Sequence, residues 1–124
     1  MKNSWIKAKV LKGDKKGRLI GFPTVNLDPK ILPVVFNHGI YTALVKYKNN
    51  EYLGTLFYGP RLVKGETHPV LEIYIHDFNE DIYDHEVEFI VHSFIRDVCN
   101  FGSFDELKVE MERDIEKTKQ LLMP

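Results

Sequence analysis

Apolar and polar residues alternate most strictly from Val70 to His76, where Leu71, Ile73 and Ile75 fall on one face and Glu72, Tyr74 and His76 on the other. A period of two is the mark of a strand with one buried side. Ile6–Val10, Ile40–Tyr47, Glu51–Tyr58 and Val87–Phe94 carry the same β-branched and aromatic enrichment between turn formers, and each predicts a strand. The polar Lys48-Asn49-Asn50 predicts a hairpin turn between two of them. Asn79-Glu80-Asp81 predicts the turn that leads into the last. After Phe101 the period changes. Phe104, Leu107, Met111, Ile115 and Leu122 recur at helical spacing with charges between them, and the charged face reads as solvated. Ser103 followed by Glu106 matches a capping box, so a helix is predicted over Ser103–Leu121. Short strands followed by one helix predict a small antiparallel barrel with the helix packed against it, a closure that removes exposed sheet edges.

The segment that breaks this regularity is Gly13-Asp14-Lys15-Lys16-Gly17-Arg18-Leu19-Ile20-Gly21-Phe22-Pro23-Thr24-Val25-Asn26. Glycines let backbone amides approach a ligand, and successive amides with lysine and arginine favour an anion. Thr24 and Asn26 add oxygens suited to a hard cation such as Mg²⁺. A metal-bound phosphate is the ligand these groups fit, and an ordinary surface loop is the alternative. No Gly-Lys-Ser/Thr follows the glycines, which excludes the Walker pattern. Pro23 stands where a dinucleotide-binding helix would open.

Composition narrows the classes. The chain has 124 residues, 44% hydrophobic and 28% charged, a profile of one folded domain spanning 1–124. A formal net charge of -1 supplies no global basic field for nucleic acid. An oligonucleotide-binding barrel, which needs a basic, aromatic-lined face, is disfavoured on that ground. No apolar run approaches the ~20 residues that cross a membrane, and no signal-peptide core is visible. Cys99 is the only cysteine, so a reducing cytoplasm is expected. The 5 histidines lack zinc-site spacing and read as surface or strand-face residues, His76 near any site that Glu72 forms.

The residues from Gly21 to Asn26, Gly-Phe-Pro-Thr-Val-Asn, resemble the Gly-Phe-Pro-Thr-Ala-Asn motif of the riboflavin kinase family. The resemblance continues through Gly39-Ile40-Tyr41-Thr42-Ala43, Leu71 to Phe78, Asp81-Ile82-Tyr83, and Ile95-Arg96 with Phe101, Ser103 and Leu107. It implies a six-stranded antiparallel Greek-key barrel with a C-terminal helix. The implied activity is transfer of the ATP γ-phosphate to the ribityl 5′-hydroxyl of riboflavin, giving FMN. It places Thr24 and Asn26 at the Mg²⁺–nucleotide site and Gly13 and Arg18 in the nucleotide loop. It makes Glu72 the catalytic base, and it sets Arg96 and Phe101 beside the flavin. A cytoplasmic monomer is the expected form.

Several positions depart from the family pattern. Lys15 stands at a frequent loop glycine, Leu56–Leu62 replaces an Asn-Ile-Gly-x-Arg-Pro-Thr run, and Val98 replaces an acidic residue. Asp84 replaces a glycine, an exchange that aspartate tolerates if the position needs φ > 0. The departures leave a rival expectation, a non-catalytic flavin or nucleotide sensor on the same barrel. The FMN adenylyltransferase half of many bacterial members has no counterpart in this sequence, so FAD synthesis is not expected from this chain alone.

Overall fold

The computed structural model describes residues 5–12, 24–32, 36–60, 68–98 and 103–122. Strands β1 (Ile6–Lys9), β2 (Val25–Leu27), β3 (Gly39–Tyr47), β4 (Asn50–Gly59), β5 (Val70–Ile75) and β6 (Glu86–Arg96) precede helix α1 (Phe104–Leu122). All pair antiparallel in one six-stranded sheet of order β1-β6-β3-β4-β5-β2. Three consecutive strands with a fourth returning beside the first, β6-β3-β4-β5, make the Greek key. The sheet's two ends meet where Leu11, just past β1, bridges to Asn26 of β2, its N–H donating to the Asn26 carbonyl at 2.7 Å. That bridge makes the barrel nearly closed.

Alternation fills the interior. Tyr41, Ala43, Val45 and Tyr47 of β3 meet Leu56, Leu71, Ile73, Ile75, Val87 and Phe89 in one apolar cluster. Burying a side chain of this kind contributes about 1.5–3 kcal/mol. Gly54 faces this interior, where a Cβ would come within 2.9 Å of Ile73 Cγ2 and 3.0 Å of Val45 Cγ2. The β3–β4 hairpin turns on Lys48 (φ 48°) and Asn49 (φ 67°), the positive angles of a two-residue turn whose twist suits its strands. Asp84, in the turn before β6, has φ 71°, so the glycine-like position anticipated from sequence is real.

The other face of the sheet carries the helix. Ile40 and Thr42 are 4% and 0% exposed yet lie outside the interior cluster, because α1 packs over β3, β4 and β6. The helix begins as its cap predicts: the Glu106 N–H donates to Ser103 Oγ at 3.2 Å. Its packing face corrects the sequence reading. Leu107, Met111, Ile115 and Leu122 are half-buried, while Asp114 and Thr118 are 4% and 0% exposed. Not every charge on the helix is solvated, since Asp114 lies in phase with the apolar stripe. No helix among the described residues is long and apolar enough to cross a membrane.

Candidate active site

β2 is only three residues long, and its place in the barrel decides what its neighbours can do. Its register with β5 is Val25↔Ile73, Asn26↔Glu72 and Leu27↔Leu71. Alternation turns Val25 and Leu27 to the core and leaves Asn26 and Glu72 side by side on the outer face. Thr24, two positions before Asn26, shares that face. Its hydroxyl donates to Glu72 Oε1 at 2.7 Å. All three side chains are half-buried, so each keeps contact with solvent. Residues 48 apart in sequence are thereby joined across β2 and β5, beside the seam where the barrel closes.

Glu72 heads a longer row. It is the cross-strand partner of Phe57, Phe57 of Ile40, and Ile40 of Arg96. The outer face thus reads Asn26, Glu72, Phe57, Ile40, Arg96 across five adjoining strands of the sheet. At about 4.8 Å per strand, Arg96 stands roughly 14 Å from Glu72. Arg96 does not join the Thr24–Glu72 pair. Its Nε and Nη2 donate to Asp114 Oδ1 and Oδ2 of α1 at 2.9 and 2.7 Å, and Glu110 Oε1 lies 3.5 Å from Nε. Burial pushes the Asp114 carboxyl above its ordinary value, against the pull of the guanidinium.

A second polar chain runs under the same helix. Thr118 Oγ1 donates to the Asp114 carbonyl at 2.9 Å, and Thr55 Oγ1 lies 2.8 Å from both Thr118 Oγ1 and His76 Nε2. With the Thr118 proton committed, each contact holds a hydrogen only if Thr55 donates to Thr118 and His76 Nε2–H donates to Thr55. That leaves His76 Nδ1 as a bare acceptor, buried and with no partner. Burial, and next the Lys119 charge, lower the His76 pKa to about 4, with Asp77 opposing. His76 is therefore a neutral packing residue, 5% exposed, and not part of the Glu72 site. Sequence reasoning had placed it beside Glu72.

Gly13, Arg18 and Phe101, assigned to the nucleotide and the flavin by the resemblance, lie outside the described residues, as does Cys99. Tyr83 is 54% exposed, and Tyr58 packs edge-on against His38 at 5.2 Å between ring centres. Among the described residues no cluster of three or more His, Cys, Asp or Glu could hold a metal ion. Thr24 and Asn26 still supply neutral oxygen donors beside a carboxylate. That set suits Mg²⁺ held partly by substrate phosphates rather than by an all-protein cage. Asp114 and Phe57 were missed from sequence. For Asp114 a signal existed, a charge in phase with an apolar stripe.

Comparison with known proteins bears on this arrangement. The riboflavin kinase family model matches residues 2–122. The chain is 37% identical over 114 residues to a bifunctional riboflavin kinase/FMN adenylyltransferase of Haemophilus influenzae, covering 90% of this chain and 36% of that protein. It is 34% identical over 107 residues to an RNA-binding riboflavin kinase of Bacillus subtilis, covering 86% of this chain and 46% of that one. The chain thus spans less than half the length of these curated relatives. A crystal structure described as a macrolide-efflux protein from Streptococcus pneumoniae superposes with a TM-score of 0.80 at 30% identity, over 93% of this chain and 38% of that chain. Riboflavin kinase from Trypanosoma brucei superposes with a TM-score of 0.65 at 22% identity, over 98% and 81% of the two chains. That last likeness speaks to the fold alone.

Proposed function

This chain belongs to the riboflavin kinase family, and from that membership we propose that it transfers the γ-phosphoryl group of ATP to the ribityl 5′-hydroxyl of riboflavin, giving FMN and ADP. The observation that carries the reading is the Thr24–Glu72 hydrogen bond of 2.7 Å with Asn26 as the cross-strand neighbour of Glu72. Phosphoryl transfer asks little covalent chemistry of a protein; positioning and charge neutralisation dominate. A divalent cation, when bound, would neutralise phosphate oxygens, and Thr24 and Asn26 are the residues to hold it.

Glu72 is assigned the remaining task. Its carboxylate orients the attacking 5′-hydroxyl and accepts its proton as the new O–P bond forms and the bond to the ADP oxygen breaks. Thr24 holds one carboxylate oxygen by its own hydroxyl, which limits the rotamers from which Glu72 can act. Phe57, next in the row and half-buried, offers an apolar surface beside the carboxylate, whereas Ile40 beyond it is already covered. Gly13 and Arg18 are assigned to the nucleotide and Phe101 to the flavin by the resemblance to the family alone.

Incubation with riboflavin and MgATP should yield FMN, resolved by chromatography. A folded protein that forms no FMN over a range of nucleotides and divalent cations defeats the proposal. Calorimetric binding of FMN without turnover would favour a flavin sensor instead.

A further inference from the structure

Arg96 ends β6, and the guanidinium that its sequence position assigns to the flavin is gripped by the helix. Nε and Nη2 meet both oxygens of Asp114 at 2.9 and 2.7 Å. Two parallel bonds to one carboxylate fix the plane of a guanidinium as well as its distance. The third nitrogen, Nη1, donates to the Asp97 carbonyl at 3.1 Å, so the same head group also closes on the exit of its own strand. Two positions on, Val98 meets the end of β4. A Cβ on Gly59 would lie 2.9 Å from Val98 Cγ2, and Gly59 has φ 149°, where side chains are strained. Residues 96–98 are therefore fastened at both ends, on Asp114 through Arg96 and on the bare backbone of Gly59 through Val98.

Asp114 itself is 4% exposed and lies outside the Asn26–Glu72–Phe57–Ile40–Arg96 row. A buried ion pair is weak as glue, because desolvation cancels much of its attraction. It is strong as a locator. Resting on the riboflavin kinase reading, the geometry points to Asp114 as a positioning residue: from α1 its carboxylate sets where Arg96, Asp97 and Val98 lie, and with them the grip on the flavin end of riboflavin. Among the described residues α1 packs chiefly over β3, β4 and β6, whereas the Thr24–Glu72 bond joins the start of β2 to β5, so the inference assigns the helix to the flavin end of the site.

Steady-state FMN formation, varied separately in riboflavin and in MgATP, tests this in the full chain. Asp114→Asn keeps the shape and removes the charge. The KM for riboflavin should rise about tenfold or more, the scale expected of a displaced binding group, while the KM for MgATP stays within about twofold. Thr118→Val is the control. It disturbs the same buried helix face without touching Arg96, so Tm should fall while the KM for riboflavin stays within about twofold. Should Asp114→Asn not fold, Arg96→Lys keeps the charge but loses the fork and should show the same selective rise. An Asp114→Asn protein with a lower Tm and an unchanged riboflavin KM overturns the inference, and so does a Thr118→Val protein with an equal KM rise. A wild type that binds FMN without turnover sinks the kinase reading alone. The Asp114→Asn to wild-type ratio of FMN Kd, from flavin fluorescence, then decides the role of Asp114. A wild type that neither turns over nor binds flavin overturns both.

Discussion

Two polar seams lie on the outer face of this barrel, and they are built to opposite specifications. At the β2–β5 seam Thr24, Asn26 and Glu72 are all half-buried. At the seam under α1, Asp114 and Thr118 are 4% and 0% exposed, Asp114 bonding to Arg96 and Thr118 to Thr55, which in turn meets His76. A fully buried polar group must be satisfied by the protein, since water cannot compensate it. The α1 seam consequently specifies one docking geometry. A half-buried group can exchange solvent for a ligand atom at small cost, which suits a site. Under the proposed function, the same kind of residue serves as a locator in one place and as reactive chemistry in the other, with burial deciding which.

The sharpest separation of the two comes from Glu72→Gln. The amide oxygen can still accept from Thr24 Oγ1, so the local geometry survives, but the proton acceptor is gone. FMN formation should fall about 10²–10⁴-fold, while stability in urea changes by no more than about 0.5 kcal/mol. A loss of several kcal/mol in the unfolding curve, with turnover intact, would make the β2–β5 seam structural and erase the contrast.

Asp114→Ala should behave in the reverse sense. Removing the carboxylate takes from the Arg96 guanidinium, whose side chain is 20% exposed, its two-bond partner, leaving Glu110 and the Asp97 carbonyl, and breaking a buried pair from one side costs up to about 3–5 kcal/mol. Urea unfolding gives the number directly. A cost below about 1 kcal/mol, the range of exposed ion pairs, would show that the helix is held by its half-buried apolar residues and not by this pair.

Much of the frame was legible beforehand, for reasons that also explain what was not. Leu71, Ile73 and Ile75 alternate without interruption, and all three are 3% exposed or less. Ser103 and Glu106 marked the start of α1 by a local hydrogen bond, which needs no tertiary context. Strand β2 was not seen, because Val25-Asn26-Leu27 is too short to show a period. It exists through its pairing with β5 and the bridge from Leu11 to Asn26. The Thr24–Glu72 contact depends on that register, so only the family motif hinted at it. His76 and Asp114 failed in the opposite way. Polar residue types were read as solvated, whereas each is buried by an element distant in sequence, α1 over His76 and β6 against Asp114.

The smallest expected effect concerns the acid side of the pH range and again separates the seams. His76 has a folded pKa of about 4 against an ordinary 6.5, so the unfolded chain takes up a proton first as pH falls. Unfolding therefore binds protons between those values, and stability must drop as pH falls from 6.5 towards 4, levelling below. With allowance for screening by solvent, the loss is about 2 kcal/mol. Thr55 cannot accept a bond from Nδ1 while it accepts from Nε2, and Lys119 opposes a second positive charge. The burial that makes the neutral ring a good packing unit thus makes its cation a poor one. Asp114, raised by burial, works with the opposite sign as pH falls towards its ordinary 3.8. Subtracting the urea-derived stability of His76→Gln from that of wild type at each pH removes its contribution. The difference should fall as pH is lowered between 6.5 and 4. A flat difference would mean that the ring finds a proton acceptor at the α1 seam, and the claim that this seam tolerates no exchange of partners would fail.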